Sequence, residues 1–268
     1  MKGYLKNLEF ERIHNMLYLR KGSLSTYYFG NNFETLTLSQ TKEVIESMSD
    51  NLHIDLNLSD ITRIDFASNI ITVEPPQNYF TCLTEASRLN RNLRNSTLYF
   101  SNNKKSLVFY DKVKHYQNIN KYIPKPYTDL NVLRYERRSL KLNRLKYLGK
   151  DLYNSNYFNQ FLLNWKKDYE GIKKHIPLKF RKEASEEINM SDLDKYRWKL
   201  LLKEAGGIQN LNTILDNAQR EGRLKRQNKY YLKKKIIEAV NSPDLLEENN
   251  LVTELNEKIN QAYNSYAV

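Results

Sequence analysis

Three short segments each place one chemically distinctive group among alternating apolar residues. In the stretch from Ile61 to Ile70, Ile64 and Phe66 alternate with Arg63, Asp65 and Asn69. In 106–112, Leu107 and Phe109 alternate with Ser106, Tyr110 and Lys112. In 132–138, Leu133 and Tyr135 alternate with Arg134, Glu136 and Arg138. Successive side chains of a strand point to opposite faces. Each segment therefore has an apolar face for helices to cover and a polar face carrying Asp65, Tyr110 or Glu136. If the three strands are neighbours, two carboxylates and a tyrosine converge with Arg63, Lys112 and Arg134. Such a set suits phosphoryl transfer. Carboxylates are hard oxygen ligands for Mg²⁺ or Mn²⁺, a metal of that kind polarises and orients a phosphate, and a tyrosine hydroxyl can attack phosphorus and become covalently joined to it. With an ordinary pKa of about 10, the phenol needs nearby positive charge or a base; Lys112, two residues along, is the candidate source. Arginine–carboxylate pairs on a sheet also serve purely structural ends, so alternation alone leaves both readings open.

The elements expected to hold these groups belong to an α+β fold, a mostly antiparallel sheet covered by helices. Met16 to Leu19, Ser25 to Phe29, Thr35 to Leu38 and His53 to Leu58 read as strands. Gln40 to Met48 reads as a helix capped by Ser39. The β-branched run Ile61 to Val73 reads as a central strand ended by Pro75-Pro76, and Tyr79 to Leu93 as a helix. Thr97 to Phe100 and Ser106 to Lys112 form a hairpin around Ser101-Asn102-Asn103, 117–130 is a loop, and Val132 to Arg138 is another strand. Beyond Leu140 the period becomes helical. Tyr157, Phe158, Phe161, Leu162, Trp165 and Tyr169 form a stripe best read as core. The predicted division is an α+β catalytic domain at 1–176 and a helical basic appendage at 177–268. The change falls near 174–188, with a basic connector at 179–184 and helices over Leu193 to Lys203, Leu211 to Asn217 and Tyr230 to Val240.

The chain carries a formal net charge of +12, which suits a polyanionic partner. It has no apolar run long enough to span a bilayer and no apolar N-terminal leader, so a cytoplasmic protein without a membrane partner is expected. A single cysteine, Cys82, excludes an internal disulfide, and no Cys or His cluster offers a thiolate zinc site.

The segment TLYFSNNKKSLVFYDKVKH from Thr97 to His115 resembles the nucleophile region of rolling-circle replication initiators, a group of filamentous-phage replication proteins and trans-acting plasmid Rep proteins. In that family a Tyr-x-Lys element follows a short apolar strand, matched here by Tyr110 and Lys112. Thr62-Arg63-Ile64-Asp65 resembles its Arg-x-Asp strand, and Leu133-Arg134-Tyr135-Glu136 its Arg-aromatic-Glu strand, in the family's order. The resemblance covers roughly residues 16 to 172 and implies a replication-initiator nuclease. Tyr110 would cut one DNA strand, staying on the 5′ phosphate and leaving a free 3′ hydroxyl; Asp65 and Glu136 would hold Mg²⁺ or Mn²⁺. Double-stranded origin DNA, an unpaired nick site, and a host helicase and polymerase would be the partners, within the cytoplasm of a bacterial host. Asp111 and His115 are possible accessory residues, and Tyr116, Tyr99 or Tyr147 is conceivable as a second nucleophile for rejoining. The chain departs from the best-known rolling-circle nucleases in lacking a His-hydrophobic-His motif.

Between Arg220 and Lys235 the chain is strongly basic, with Glu221 alone against it. Arg223, Lys225, Arg226 and Lys229 are the candidate DNA contacts there, alongside Arg63 and Arg134 in the first domain; a solvated helix face is the alternative. A non-catalytic origin-binding protein of the same lineage and a conjugative relaxase are the competing functions.

Overall fold

The computed structural model describes residues 1–142, 146–175, 190–241 and 249–266. It divides into two compact units, one made of Met1–His175 with Asn250–Val268 and the other of Ile176–Asn249. The expected connector at 179–184 lies outside the described residues.

The first unit is α+β, as expected. It opens with an antiparallel meander of β1 (Lys2–Leu5), β2 (Leu8–Ile13) and β3 (Met16–Lys21). Leu8 and Phe10 of this meander pack against Tyr27 of α1 (Leu24–Phe29) and Val44 and Met48 of α2 (Leu38–Leu52). The main sheet has β4 (Ile64–Thr72), β6 (Asn90–Arg94), β7 (Thr97–Ser101), β8 (Lys105–Asp111) and β9 (Asn131–Ser139) in the order β4-β9-β8-β7-β6, every pair antiparallel. One face of this sheet is the core. Leu98, Phe100, Leu107, Phe109, Leu133 and Tyr135 are all buried there, against α3 (Pro76–Cys82), α5 (Ser155–Glu170) and a last helix, Asn250–Tyr266. Phe109 stacks on Tyr135 with ring centres 4.5 Å apart, and the Tyr135 hydroxyl donates to the Trp165 carbonyl at 2.9 Å. The aromatic stripe on α5 is thus core packing, with Phe161, Leu162, Trp165 and Tyr169 buried. The short strand β5 (Leu83–Ala86) pairs with β10 (Ile172–Lys174).

Several local expectations are corrected. Ser25 to Phe29 is helical because the Ser23 hydroxyl accepts from the Thr26 amide and Gly30, at φ 77°, closes the turn, a conformation open to glycine at no steric cost. Thr35 to Leu38 is no strand. Thr37 caps α2 in place of Ser39, in a reciprocal box with Gln40. His53, at φ 52°, ends that helix, and 3-10 geometry at Leu56–Leu58 replaces the expected strand. Ile61 to Val73 supplies an edge strand, not a central one. The expected helix from Tyr79 to Leu93 stops at Cys82 and gives way to β5 and β6, because Arg91 turns back to donate to the carbonyls of Phe80 and Leu83 and β6 completes the sheet. Lys112 begins a helix, α4 (Lys112–Asn118), rather than ending a strand.

The second unit holds α6 (Met190–Glu204), α7 (Ile208–Arg220) and α8 (Arg226–Asn241) among its described residues. The last helix, α9 (Asn250–Tyr266), belongs to the first unit, not to an appendage running to the end of the chain. Its Leu255 and Ile259 enter the main core, and Asn256 accepts from the Tyr169 hydroxyl at 2.7 Å. None of the helices among the described residues is long and apolar enough to cross a membrane.

Candidate active site

The sheet face opposite the core collects the groups singled out by alternation. Residues directly opposite each other in an antiparallel pair present their side chains on the same face. Tyr110 on β8 lies opposite Arg134 on β9, which lies opposite Asn69 on β4. One row along are Val108, Glu136 and Ala67; the next holds Ser106, Arg138 and Asp65. The three candidate strands are therefore neighbours, and Tyr110, Glu136 and Asp65 share a surface.

Their side chains form a connected network. The Tyr110 hydroxyl donates to Glu136 Oε1 at 2.8 Å. Arg134 donates to the same oxygen at 2.7 Å, and Arg138 donates to Oε2 through Nε at 3.0 Å and Nη2 at 2.7 Å. Arg138 also lies 3.7 Å from Asp65 Oδ2, and Arg63 makes a two-pronged pair with Asp65 at 2.7 and 2.6 Å. Arg134 is nearly buried and well supplied with partners, donating as well to the Asn32 carbonyl and to Asn69 Oδ1, both at 3.0 Å. Arg63, Arg138 and Asp65 are the more open members.

The electrostatics follow from burial and these pairings. Burial opposes charge on Glu136, but Arg134 and Arg138 outweigh it and hold the carboxyl down to about 2. Burial, with Glu136 beside it, pushes the Tyr110 phenol well above its ordinary value despite the opposing pull of Arg134. Tyr110 at rest is a protonated donor. Lys112 departs from expectation: its side chain is 1 % exposed, and burial, reinforced by Arg134, lowers it to about 6. At neutral pH it is an amine, so the positive charge nearest Tyr110 belongs to Arg134 and Arg138. His115 sets its ring edge-on to Tyr110 with centres 5.2 Å apart, and burial lowers its pKa.

Asn32 is a member the sequence did not announce, since Gly30-Asn31-Asn32 reads only as a turn. Its side-chain oxygen accepts from both the Lys112 amine and the Tyr116 hydroxyl. Its carbonyl accepts from Arg134 and Asn69. The loop is held down by Phe33, which packs with Val113, Tyr116 and Val132. Asn32→Ala leaves two buried donors without their acceptor, at a cost of about 2 kcal/mol. The expected thermal-denaturation result is a fall of roughly 5 °C in Tm; an unchanged Tm would deny Asn32 this role.

Other candidates separate. Asp111 lies opposite Leu133, on the core side, and caps α4 by accepting from the Lys114 amide at 2.9 Å; the structure does not bring it to the Tyr110 surface. Tyr116 is buried on Asn32, and Tyr147 packs on Tyr157 and Phe161. In the second unit, Arg223 pairs with Glu221 at 3.2 Å and Lys229 with Asp216 at 2.8 Å, while Lys225 and Arg226 are exposed.

Among the described residues no three Asp, Glu, His or Cys side chains gather as a metal cage. Asp65 and Glu136 are the two carboxylates of the network, Asp65 held by Arg63 and Arg138 and Glu136 by Arg134 and Arg138. Comparison with protein families matches residues 6–196 to the Phage_CRI family, which describes the N-terminal part of a replication-associated protein. Searches of curated proteins and of solved structures return no match.

Proposed function

Because the chain belongs to the Phage_CRI family of replication-associated proteins, we propose that it starts rolling-circle replication of phage-type DNA by cutting one strand at an origin with Tyr110. The observation that carries this reading is the Tyr110 hydroxyl, 2.8 Å from Glu136, a carboxylate that also receives Arg134 and Arg138. Two guanidiniums against one carboxylate leave an excess of positive charge beside the tyrosine, which favours an incoming phosphodiester.

In the proposed reaction the Tyr110 oxygen attacks phosphorus. The bond from phosphorus to the tyrosine oxygen forms as the bond to the 3′ oxygen breaks. The phenolic proton leaves to solvent, since Arg134 and Arg138 hold Glu136 ionised, and the departing 3′ oxygen takes up a proton from solvent. The products are a 5′-phosphotyrosine link and a free 3′ hydroxyl, a primer end for a host polymerase once a helicase opens the duplex. Arg138 and Arg63, being the more open, exchange carboxylate partners for the phosphate, while buried Arg134 stays and holds Glu136. Asp65 and Glu136 would hold Mg²⁺ or Mn²⁺, which would supply charge to the phosphate oxygens. Rejoining reverses these bonds. Lys225 and Arg226 in the second unit are proposed contacts to the duplex backbone. The work takes place in the bacterial cytoplasm.

The test mixes purified full chain with supercoiled DNA carrying its own origin, in Mg²⁺, Mn²⁺ or EDTA. Open circles and a covalent protein–DNA band are expected with either metal and lost with EDTA. Cutting that persists in EDTA would remove the metal from the scheme, and tight binding without cutting would favour a recruiting protein.

A further inference from the structure

The row that contains Tyr110 does not stop at β8. Tyr110 lies opposite Thr97 on β7, and Thr97 lies opposite Arg94 on the edge strand β6. The next row continues from Glu136 and Val108 to Tyr99 and Asn92. The one after it continues from Arg138 and Ser106 to Ser101 and Asn90. By the same pairing rule, Arg94, Asn92, Asn90 and Tyr99 all face the surface of Tyr110. The opposite face of β7 and β8 is core, while the edge strand β6 is exposed along its whole length, so the outward chemistry of these strands is not demanded by packing.

Asn90, Asn92 and Arg94 are exposed and Tyr99 is half-buried over the floor made by fully covered Val108. From Ala86 to Tyr110 the chain contains no acidic residue. Two neighbouring cations are otherwise employed: Arg91 holds backbone carbonyls, and Lys105 pairs with Asp168. Arg94 is thus a positive group in line with the nucleophile, and β6 lies two strand spacings, about 10 Å, from β8.

We propose that this half of the sheet is the binding track for the unpaired DNA strand beside the cut, with Arg94 on a phosphate, Tyr99 stacked on a base and Asn90 and Asn92 at base edges. An aromatic face beside a single cation, continuous with the cutting site, fits a single strand, whose bases are free to stack; asparagine carries both a donor and an acceptor for a base edge. The track rests on the reading of Tyr110 as the nucleophile.

The test uses the full chain and a labelled oligothymidine of about 20 nucleotides, followed by fluorescence anisotropy, with a duplex of equal length beside it. Tyr99→Ala and Arg94→Ala are each expected to weaken single-strand binding about tenfold, with Tyr99→Phe close to the unaltered chain. Lys104→Ala, a charge change off the track, is expected to leave binding within about twofold. Thermal denaturation of each variant separates lost contact from lost fold. Single-strand binding unchanged in folded Tyr99→Ala and Arg94→Ala would overturn the track, as would no binding by the unaltered chain. The covalent Tyr110 adduct, measured on origin DNA in parallel, keeps the two readings apart. Adduct formation with unchanged oligothymidine binding by the variants defeats the track alone. Weakened binding by the variants without any adduct from the unaltered chain defeats the nucleophile alone and leaves a strand-binding face.

Discussion

Tyr110→Phe is expected to eliminate the covalent protein–DNA band and to lower cutting by at least roughly 1,000-fold, since removal of a covalent nucleophile leaves only binding and electrostatic effects. The fold should survive. Glu136 keeps both arginines when the phenol is gone, and one lost hydrogen bond is worth about 1 kcal/mol. Oligothymidine binding should also be nearly unchanged, so the variant isolates chemistry from recognition. The phenol is held protonated by burial and by Glu136. The fraction of tyrosinate in the free protein therefore rises with pH across the neutral range, and single-turnover cutting is expected to climb from about pH 6 to about pH 9 without a plateau. Cutting that survives Tyr110→Phe would assign the nucleophile elsewhere, with Tyr99 the next tyrosine to test on the same face.

Glu136→Ala is expected to be the most destabilising single change at this site. Glu136 receives Tyr110, Arg134 and Arg138, and removing it leaves the buried Arg134 without its counter-charge, which costs about 3–5 kcal/mol. Its lowered pKa gives a figure of the same size. A carboxyl held at about 2 against an ordinary 4.5 corresponds to about 3 kcal/mol of stability. Because the folded value is depressed, that contribution is complete above pH about 4.5 and disappears as pH falls toward about 2. Urea denaturation at neutral pH should show the loss in Glu136→Ala. Between about pH 4.5 and about pH 2 the unaltered chain should lose stability more steeply than the variant, so the two curves approach each other. Parallel curves across that range would mean Glu136 is not held ionised by its arginines. The variant should also fail to cut, even where it remains folded.

The part of this site that was legible in the residues rests on one strict regularity. A strand has a period of two, so a core residue at every second position places the intervening ones on the opposite face. Leu107 and Phe109 dictate where Tyr110 points; Leu133 and Tyr135 dictate where Arg134, Glu136 and Arg138 point; Phe66 does the same for Asp65. The α5 stripe was legible for the equivalent reason at the helical period. Order along the sheet was not written in any local pattern. That β4 is an edge and β9 runs between β4 and β8 depends on hydrogen bonding between segments far apart in the chain.

The same limit explains the misread pieces. Tyr79 to Leu93 has apolar residues at spacings that satisfy a helix, and only pairing with β7 and β10 turns its second half into strands. α9 follows a basic helical stretch in sequence but packs into the core of the first unit through Leu255 and Ile259, against β4, α3 and α5 far from it along the chain. Asn32 and the neutral state of Lys112 are likewise tertiary facts. A turn asparagine becomes a hub only when β4, β9 and α4 close around it, and a lysine loses its charge only when folding removes its water and sets Arg134 nearby. Residue type and alternation fix which groups share a face, because backbone geometry is local. Which groups touch, and in what charge state, is decided by long-range packing, because desolvation and Coulomb interactions depend on neighbours that the chain brings together only when folded.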